Sequence, residues 1–224
     1  MTQDKRIRIM AGHFGSGKTE FAVNYAVKLR TLGTMVGLAD LDIINPYFRS
    51  RERDQLFREK GIKLVGSSQG SAPVDMPALS PEINAFIEDS AWQAVIDVGG
   101  DPTGARVLGR YSSALAAEEY DFFLVLNACR PETRTAGQVE EMIEGIQGLS
   151  RLKITGLVNT THLLKDTVVE DVARGYELAR EVSARTGLPV RYNAAVGSVA
   201  ARLPADWEGE IFPLELYMRD GWMS

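Results

Sequence analysis

Residues 12–19 read Gly12-His13-Phe14-Gly15-Ser16-Gly17-Lys18-Thr19, and this octet decides the fold. It satisfies the pattern G-x-x-x-x-G-K-[ST] at every fixed position. The apolar run Ile7–Ala11 precedes it, and Ala22, Ala26, Leu29 and Leu32 recur behind it at helical spacing as far as Gly33. The motif therefore leaves a strand and opens a helix. Gly12, Gly15 and Gly17 let the backbone curl until its N–H groups, with those of His13, Phe14 and Ser16, converge on phosphate oxygens. The positive end of the following helix adds to that field. Lys18 is expected to reach the β- and γ-phosphates, and the Thr19 hydroxyl to coordinate magnesium. A bare glycine turn has no need of lysine and threonine at these two places.

Outward from the octet, Val36–Ala39, Ala94–Val98, Phe122–Leu126, Ile154–Val158 and Val190–Val196 are further strand candidates. Their few polar interruptions suit strands covered on both faces. Thr135 with Gln138, and Thr167 with Glu170, have capping-box spacing and open long helical patterns; the second stops at Gly187. Alternating strands and helices predict a doubly wound, mostly parallel α/β sheet, with ligands beyond the carboxyl ends of the strands. One domain over residues 1–224 accounts for the chain, and Gly66–Pro81 reads as a long surface loop.

Carboxylates stand at the strand ends on the expected ligand side. Val36–Ala39 runs into Asp40-Leu41-Asp42, and Ala94–Val98 carries Asp97 just before Gly99-Gly100 and Asp101. Asp97 is the expected Walker B aspartate, holding magnesium through water. Of Asp40 and Asp42, one is expected to orient attacking water while the other holds the metal or the loop. Thr19, Asp42 and Asp97 are thus the candidate metal residues, and Lys18 and Asp42 the candidate catalytic ones. The two histidines, His13 and His162, form no hydrolase set with any serine.

The composition agrees. In 224 residues, 45% are hydrophobic and 25% charged, which excludes wholesale disorder. No run is long and apolar enough for a membrane span, and the first ten residues lack a secretory apolar core, so a cytoplasmic location is expected. A single cysteine, Cys129, excludes internal disulfides and multi-cysteine metal sites, and a net charge of −5 argues against nucleic-acid binding.

In the order GHFGSGKT, ADLD, IDVGGD, GLVNT the chain resembles the MinD/ParA/CobQ group of P-loop ATPases, known for a deviant Walker A motif. The D-x-D pair on the second strand is the most specific part of the likeness. The resemblance implies that Asp42 lies near the attacking water, that Asn159 contacts adenine, and that ATP and magnesium are the cofactors. The N-K-x-D pattern that reads guanine is absent from this stretch. The group's signature lysine, which crosses a nucleotide-sandwiched homodimer, is replaced here by His13, an imidazole too short and too weakly charged for that task. Arg49 or Arg51 is a candidate substitute.

Three functions stay open. The preferred one is a slow switch ATPase that controls a partner protein. The others are an ATP-dependent small-molecule phosphotransferase or amide ligase, for which the run Arg49, Arg51, Arg53, Arg58 offers acceptor-binding charge, and a regulatory module that binds nucleotide without hydrolysing it. Cys129 reads as a small buried hydrophobe, and the closing stretch LELYMRDGWMS carries too little basic charge for a membrane anchor.

Overall fold

The computed structural model describes residues 1, 3–42, 54–66 and 81–218. Within them eight strands form one sheet: β1 (Ile7–Gly12), β2 (Met35–Asp40), β3 (Ile62–Gly66), β4 (Trp92–Gly99), β5 (Tyr120–Leu126), β6 (Gly156–Asn159), β7 (Val190–Val196) and β8 (Glu210–Leu214). Every pairing is parallel, and the order is β3-β2-β4-β1-β5-β6-β7-β8. The connecting helices are α1 (Lys18–Thr31), α2 (Asp54–Glu59), α3 (Pro81–Glu88), α4 (Pro102–Leu108), α5 (Ser112–Ala116), α6 (Ala136–Ser150), α7 (Val169–Thr186) and α8 (Gly197–Ala200).

The apolar strands are continuous because both faces are covered. Ile7, Ile9 and Ala11 of β1 join a core with Phe86 of α3, Val139 and Ile143 of α6, and Ala179 and Val182 of α7. Met10 joins the opposite core, built on Phe21, Ala22, Tyr25 and Ala26 of α1. There Phe21 meets Phe212 at 5.1 Å and Tyr192 at 5.6 Å between ring centroids, which seats α1 against β7 and β8. Asn24 exchanges two 2.8 Å hydrogen bonds with the Glu215 backbone, and the Glu20 carboxylate accepts from the Tyr217 and Met218 amides. The closing stretch is thus packed on α1 as far as Met218.

Local expectations are met with shifts of a residue or two. Thr135 and Gln138 close the capping box of α6, and Gly187, at φ 76°, ends α7. At the start of α7 the structure corrects the reading. The Thr167 hydroxyl turns back to Leu164 O and accepts from Leu163 N, while Asp171 Oδ2 accepts from Val168 N, so the helix begins at Val169. β6 begins at Gly156 rather than Ile154, because the Ile154 amide is taken by Gln147 Oε1 and the Thr155 hydroxyl serves Phe122 N. The interior of Gly66–Pro81, Arg49, Arg51 and Arg53 lie outside the described residues; Arg58 lies on α2. Among the described residues no helix is long and apolar enough to cross a membrane.

Candidate functional site

The phosphate loop leaves the sheet between β4 and β5, the two neighbours of β1. Strand order reverses there, and the crevice that opens beyond the strand ends is where such sheets hold ligands. Gly17, at φ 89°, takes the left-handed conformation and caps α1, delivering Lys18 and Thr19 as the first two helical residues, both buried. The loop is clamped from behind. Gly15 O accepts from Asn127 Nδ2 at 3.1 Å and from Arg130 Nε at 3.0 Å, and Ser16 O accepts from the Thr160 hydroxyl. In a planar trans peptide the N–H opposes the C=O, so holding Ser16 O on this side turns the Gly17 N–H towards the other. The Ser16 hydroxyl is buried without a hydrogen-bond partner among the described residues.

Four charged groups meet beside the loop. Lys18 Nζ lies 2.5 Å from Asp42 Oδ2, and the Thr19 hydroxyl donates to Asp97 Oδ2 at 2.6 Å. Burial pulls the Lys18 ammonium down, but Asp97 and Asp42 together outweigh it and its pKa is raised. Desolvation pushes the Asp97 carboxyl up, and Lys18 and Thr19 only partly offset this. Asp40 lies opposite Asp97 in the β2–β4 register; burial, then repulsion from Asp97, lifts it to about 7. β2 ends at Asp40, so strand geometry does not set the direction of Asp42. Instead Asp40 Oδ1 accepts from the Asp42 amide at 3.1 Å, and Asp42 turns to Lys18.

The donors fit a magnesium ion. Asp97 Oδ1 is buried and has no hydrogen-bond partner among the described residues, although its sister oxygen is held by Thr19. An orphaned carboxylate oxygen beside a hydroxyl and a second carboxylate is a hard-oxygen set of the kind magnesium takes next to phosphates. Asp97 and Thr19 would hold it, with Asp42 within the same cluster.

The remaining expected residues fall in different places. His13 lies half-exposed with Nδ1 3.7 Å from Glu132 Oε2, and the Phe14 ring is 60% exposed. Asn159 is fully buried. Its amide donates to Val172 O at 2.9 Å and Asn193 Oδ1 at 3.2 Å, and its carbonyl accepts from Thr161 N at 3.1 Å. In this structure the side chain ties β6 to α7 and β7, and an adenine contact through its amide would compete with these bonds. Cys129 is partly exposed rather than a buried core residue.

Sequence reasoning missed the clamp formed by Asn127, Arg130 and Thr160, since polar residues after apolar runs carry no pattern of their own. A Cβ at Gly100 would lie 2.3 Å from the carbonyl carbon of Gly12, so the residue is glycine because the Walker B turn lies directly against the phosphate loop.

No protein-family model matches the sequence, and no curated protein matches it. Solved structures do share its fold. FtsY of Physcomitrella patens chloroplasts superposes with a TM-score of 0.57 at 18% identity, covering 83% of this chain and 57% of that one. FtsY of Mycoplasma mycoides gives 0.55 at 15%, covering 84% and 59%. The signal recognition particle 54 kDa protein of Aeropyrum pernix, in complex with GDP, gives 0.52 at 23%, covering 85% and 41%. The chain therefore spans about three fifths or less of these relatives, and what they share with it is the P-loop NTPase fold.

Proposed function

We propose that this chain is one magnesium-dependent nucleotide-binding domain that works as a slow ATP-driven switch of the MinD/ParA type, changing its hold on a partner protein as its triphosphate is bound and cleaved. The observation that carries this reading is the Lys18–Thr19–Asp42–Asp97 constellation with its unpartnered Asp97 Oδ1 at the mouth of a clamped phosphate loop. Magnesium bound there supplies charge neutralisation between the phosphates.

The chain's own groups divide the remaining work. Loop N–H groups and Lys18 bind the phosphates. Asp42 already holds the Lys18 ammonium, so a γ-phosphate competes with its carboxylate for the same cation. A displaced Asp42 is free to accept a hydrogen bond from water. Through this exchange, phosphate occupancy becomes conformation. The exposed Phe14 ring on the phosphate loop is apolar surface that a second copy or another partner would cover.

ATP is favoured because Thr160-Thr161-His162, which follow Asn159, do not continue the N-K-x-D pattern that reads guanine. A guanine reading has its own support, since the Aeropyrum pernix relative is in complex with GDP. Calorimetric titration of the whole chain with ATP and GTP, each with magnesium, tests both. Tighter ATP binding, followed by phosphate release of about one per minute or slower, is the expected result. Binding of neither nucleotide overturns the switch, and preference for GTP replaces its fuel.

A further inference from the structure

A second concave feature lies behind the clamp. Ala128, Cys129, Arg134, Leu163, Arg174 and Leu178 enclose about 440 Å³ between the loop after β5, the loop after β6 and helix α7. Past Arg134 and Arg174 it continues into a further space of about 540 Å³ flanked by Arg180, Glu177 and Glu181. The phosphate-loop residues do not line either space. Volumes of this order are those of small-molecule sites, which pair an apolar lining with a few placed charges.

The lining has that character. Ala128 and Leu178 are buried and form an apolar floor, and Leu163, 45% exposed, forms a wall. The Arg134 guanidinium makes no hydrogen bond or ion pair with the described residues; only its backbone amide does, to Gln138. Arg174 holds Asp171 Oδ1 at 2.7 Å through one nitrogen, in a planar fork that carries further donors. Of the two acidic flanking residues, Glu181 is paired with Arg185. Three arginines around one groove stand out in a chain whose net charge is −5.

We propose that this groove binds a small amphipathic organic anion, its carboxylate or phosphate held between Arg134 and Arg174 and its apolar body lying on Ala128, Leu163 and Leu178. Arginine forks suit planar or tetrahedral oxyanions, and the floor excludes water from the rest of the molecule. The site lies one residue from Arg130, which holds Gly15 O, and one residue from His162, whose carbonyl accepts from Asn127 Nδ2. An occupant therefore rests on the two loops that clamp the phosphate loop. The proposal goes beyond the nucleotide reading and does not depend on it.

Cys129, the only cysteine of the chain, lines the groove and reports on it directly. Burial pushes the Cys129 thiol up, so only a part of it is ionised at about pH 8.5; the rate of its alkylation by iodoacetamide at that pH is read by mass spectrometry without nucleotide, in the presence of octanoate, octyl phosphate or octanol. Octanoate or octyl phosphate should slow the reaction about fivefold or more at saturation, octanol less than about twofold, and Arg134→Glu should abolish the protection. Protection by only one of the two anions supports the site and assigns its head group. Arg174→Gln, with an unchanged thermal melt as control, gives a second variant expected to weaken protection. Absence of protection by both anions, equal protection by octanol, or protection that survives both substitutions overturns the proposal.

Discussion

The two ends of the sheet both bury carboxylates, and they treat them in opposite ways. At the amino end, Asp4 is 1% exposed in its side chain and every oxygen is used: Oδ1 takes Arg191, and Oδ2 takes the hydroxyls of Tyr25 and Tyr192. Arg8 stacks over the Tyr25 ring at 5.5 Å and bonds Gln93 and two backbone carbonyls, with only its Nε unpartnered. At the carboxyl end, Asp40, Asp42 and Asp97 crowd around Lys18, Asp97 Oδ1 and Ser16 Oγ have no hydrogen-bond partner among the described residues, and two carboxyls are pushed up. The first arrangement satisfies both oxygens of its carboxylate and serves the fold. The second is electrostatically incomplete, and incompleteness is what a site for a divalent cation and phosphates requires.

The largest effect that sharpens this contrast is at the satisfied end. Asp4→Ala strips Arg191 and two buried hydroxyls of their acceptor and should cost about 4 kcal/mol of folding stability. Urea unfolding measures it, and the folded fraction should bind nucleotide as the wild type does. A loss below about 1 kcal/mol, or a changed nucleotide affinity, would erase the distinction between the two ends.

Next comes pH. The Asp40 carboxyl stands at about 7 against an ordinary 3.8, so the folded protein holds its proton more tightly than the unfolded chain does. Stability from this group is therefore fully present below about pH 4 and is lost as pH rises through about 7, by on the order of 4 kcal/mol. Asp40→Asn keeps an acceptor for the Asp42 amide and removes the titration. Its unfolding free energy should be flatter than that of the wild type between about pH 4 and 8, and higher at the alkaline end. Equal slopes in wild type and variant would place the repulsion elsewhere.

At the incomplete end, Lys18→Ala should weaken triphosphate binding at least about tenfold, or roughly 1.4 kcal/mol, because the β/γ charge loses its cation. Titration calorimetry at fixed magnesium reads the change. Unchanged affinity in a folded variant would mean that the orphaned oxygens serve something other than phosphate.

The contrast also explains what the sequence made legible. The central strands β1, β4 and β5 are readable because both faces and both edges are covered, which leaves long apolar runs. The two strands that escaped notice, β3 and β8, are the outer edges of the sheet. β3 carries an exposed Lys63 and β8 a proline, Pro213, both of which interrupt an apolar signal and both of which edge strands tolerate. Within the candidate site, Lys18 and Thr19 stood out by their spacing from the loop glycines and Asp97 by its place at the end of an apolar strand, and the fold brings Thr19 against Asp97. Asn127, Arg130 and Thr160 did not stand out, because they act on backbone carbonyls from other strand ends, and nothing in their local sequence records where Gly15 and Ser16 will lie. Asn159, the expected adenine contact, has its amide engaged by Val172 O and Asn193 Oδ1, ties between elements that its local sequence does not record.

The smallest expected effect tests whether the incomplete end is finished by a second molecule. His13 stands where the resembling ATPases carry a cross-subunit lysine, and its ring lies within 3.7 Å of Glu132 Oε2 in the same chain. His13→Lys adds a permanent cation at the loop, but Glu132 is close enough to hold that ammonium in place. The single substitution should therefore raise hydrolysis only about two- to threefold, and His13→Lys combined with Glu132→Gln should raise it further, towards about tenfold. Light scattering with ATP and with ADP, alongside phosphate release, separates the two ways of gaining rate. If the added cation acts across an interface, ATP-dependent dimerisation and turnover rise together and both fall on dilution. If turnover rises at constant monomer, the charge acts within one chain and the site is completed without a partner copy. Fast hydrolysis by a strictly monomeric wild type would break the comparison at its root, since the site beside Lys18 would then need nothing beyond nucleotide and magnesium.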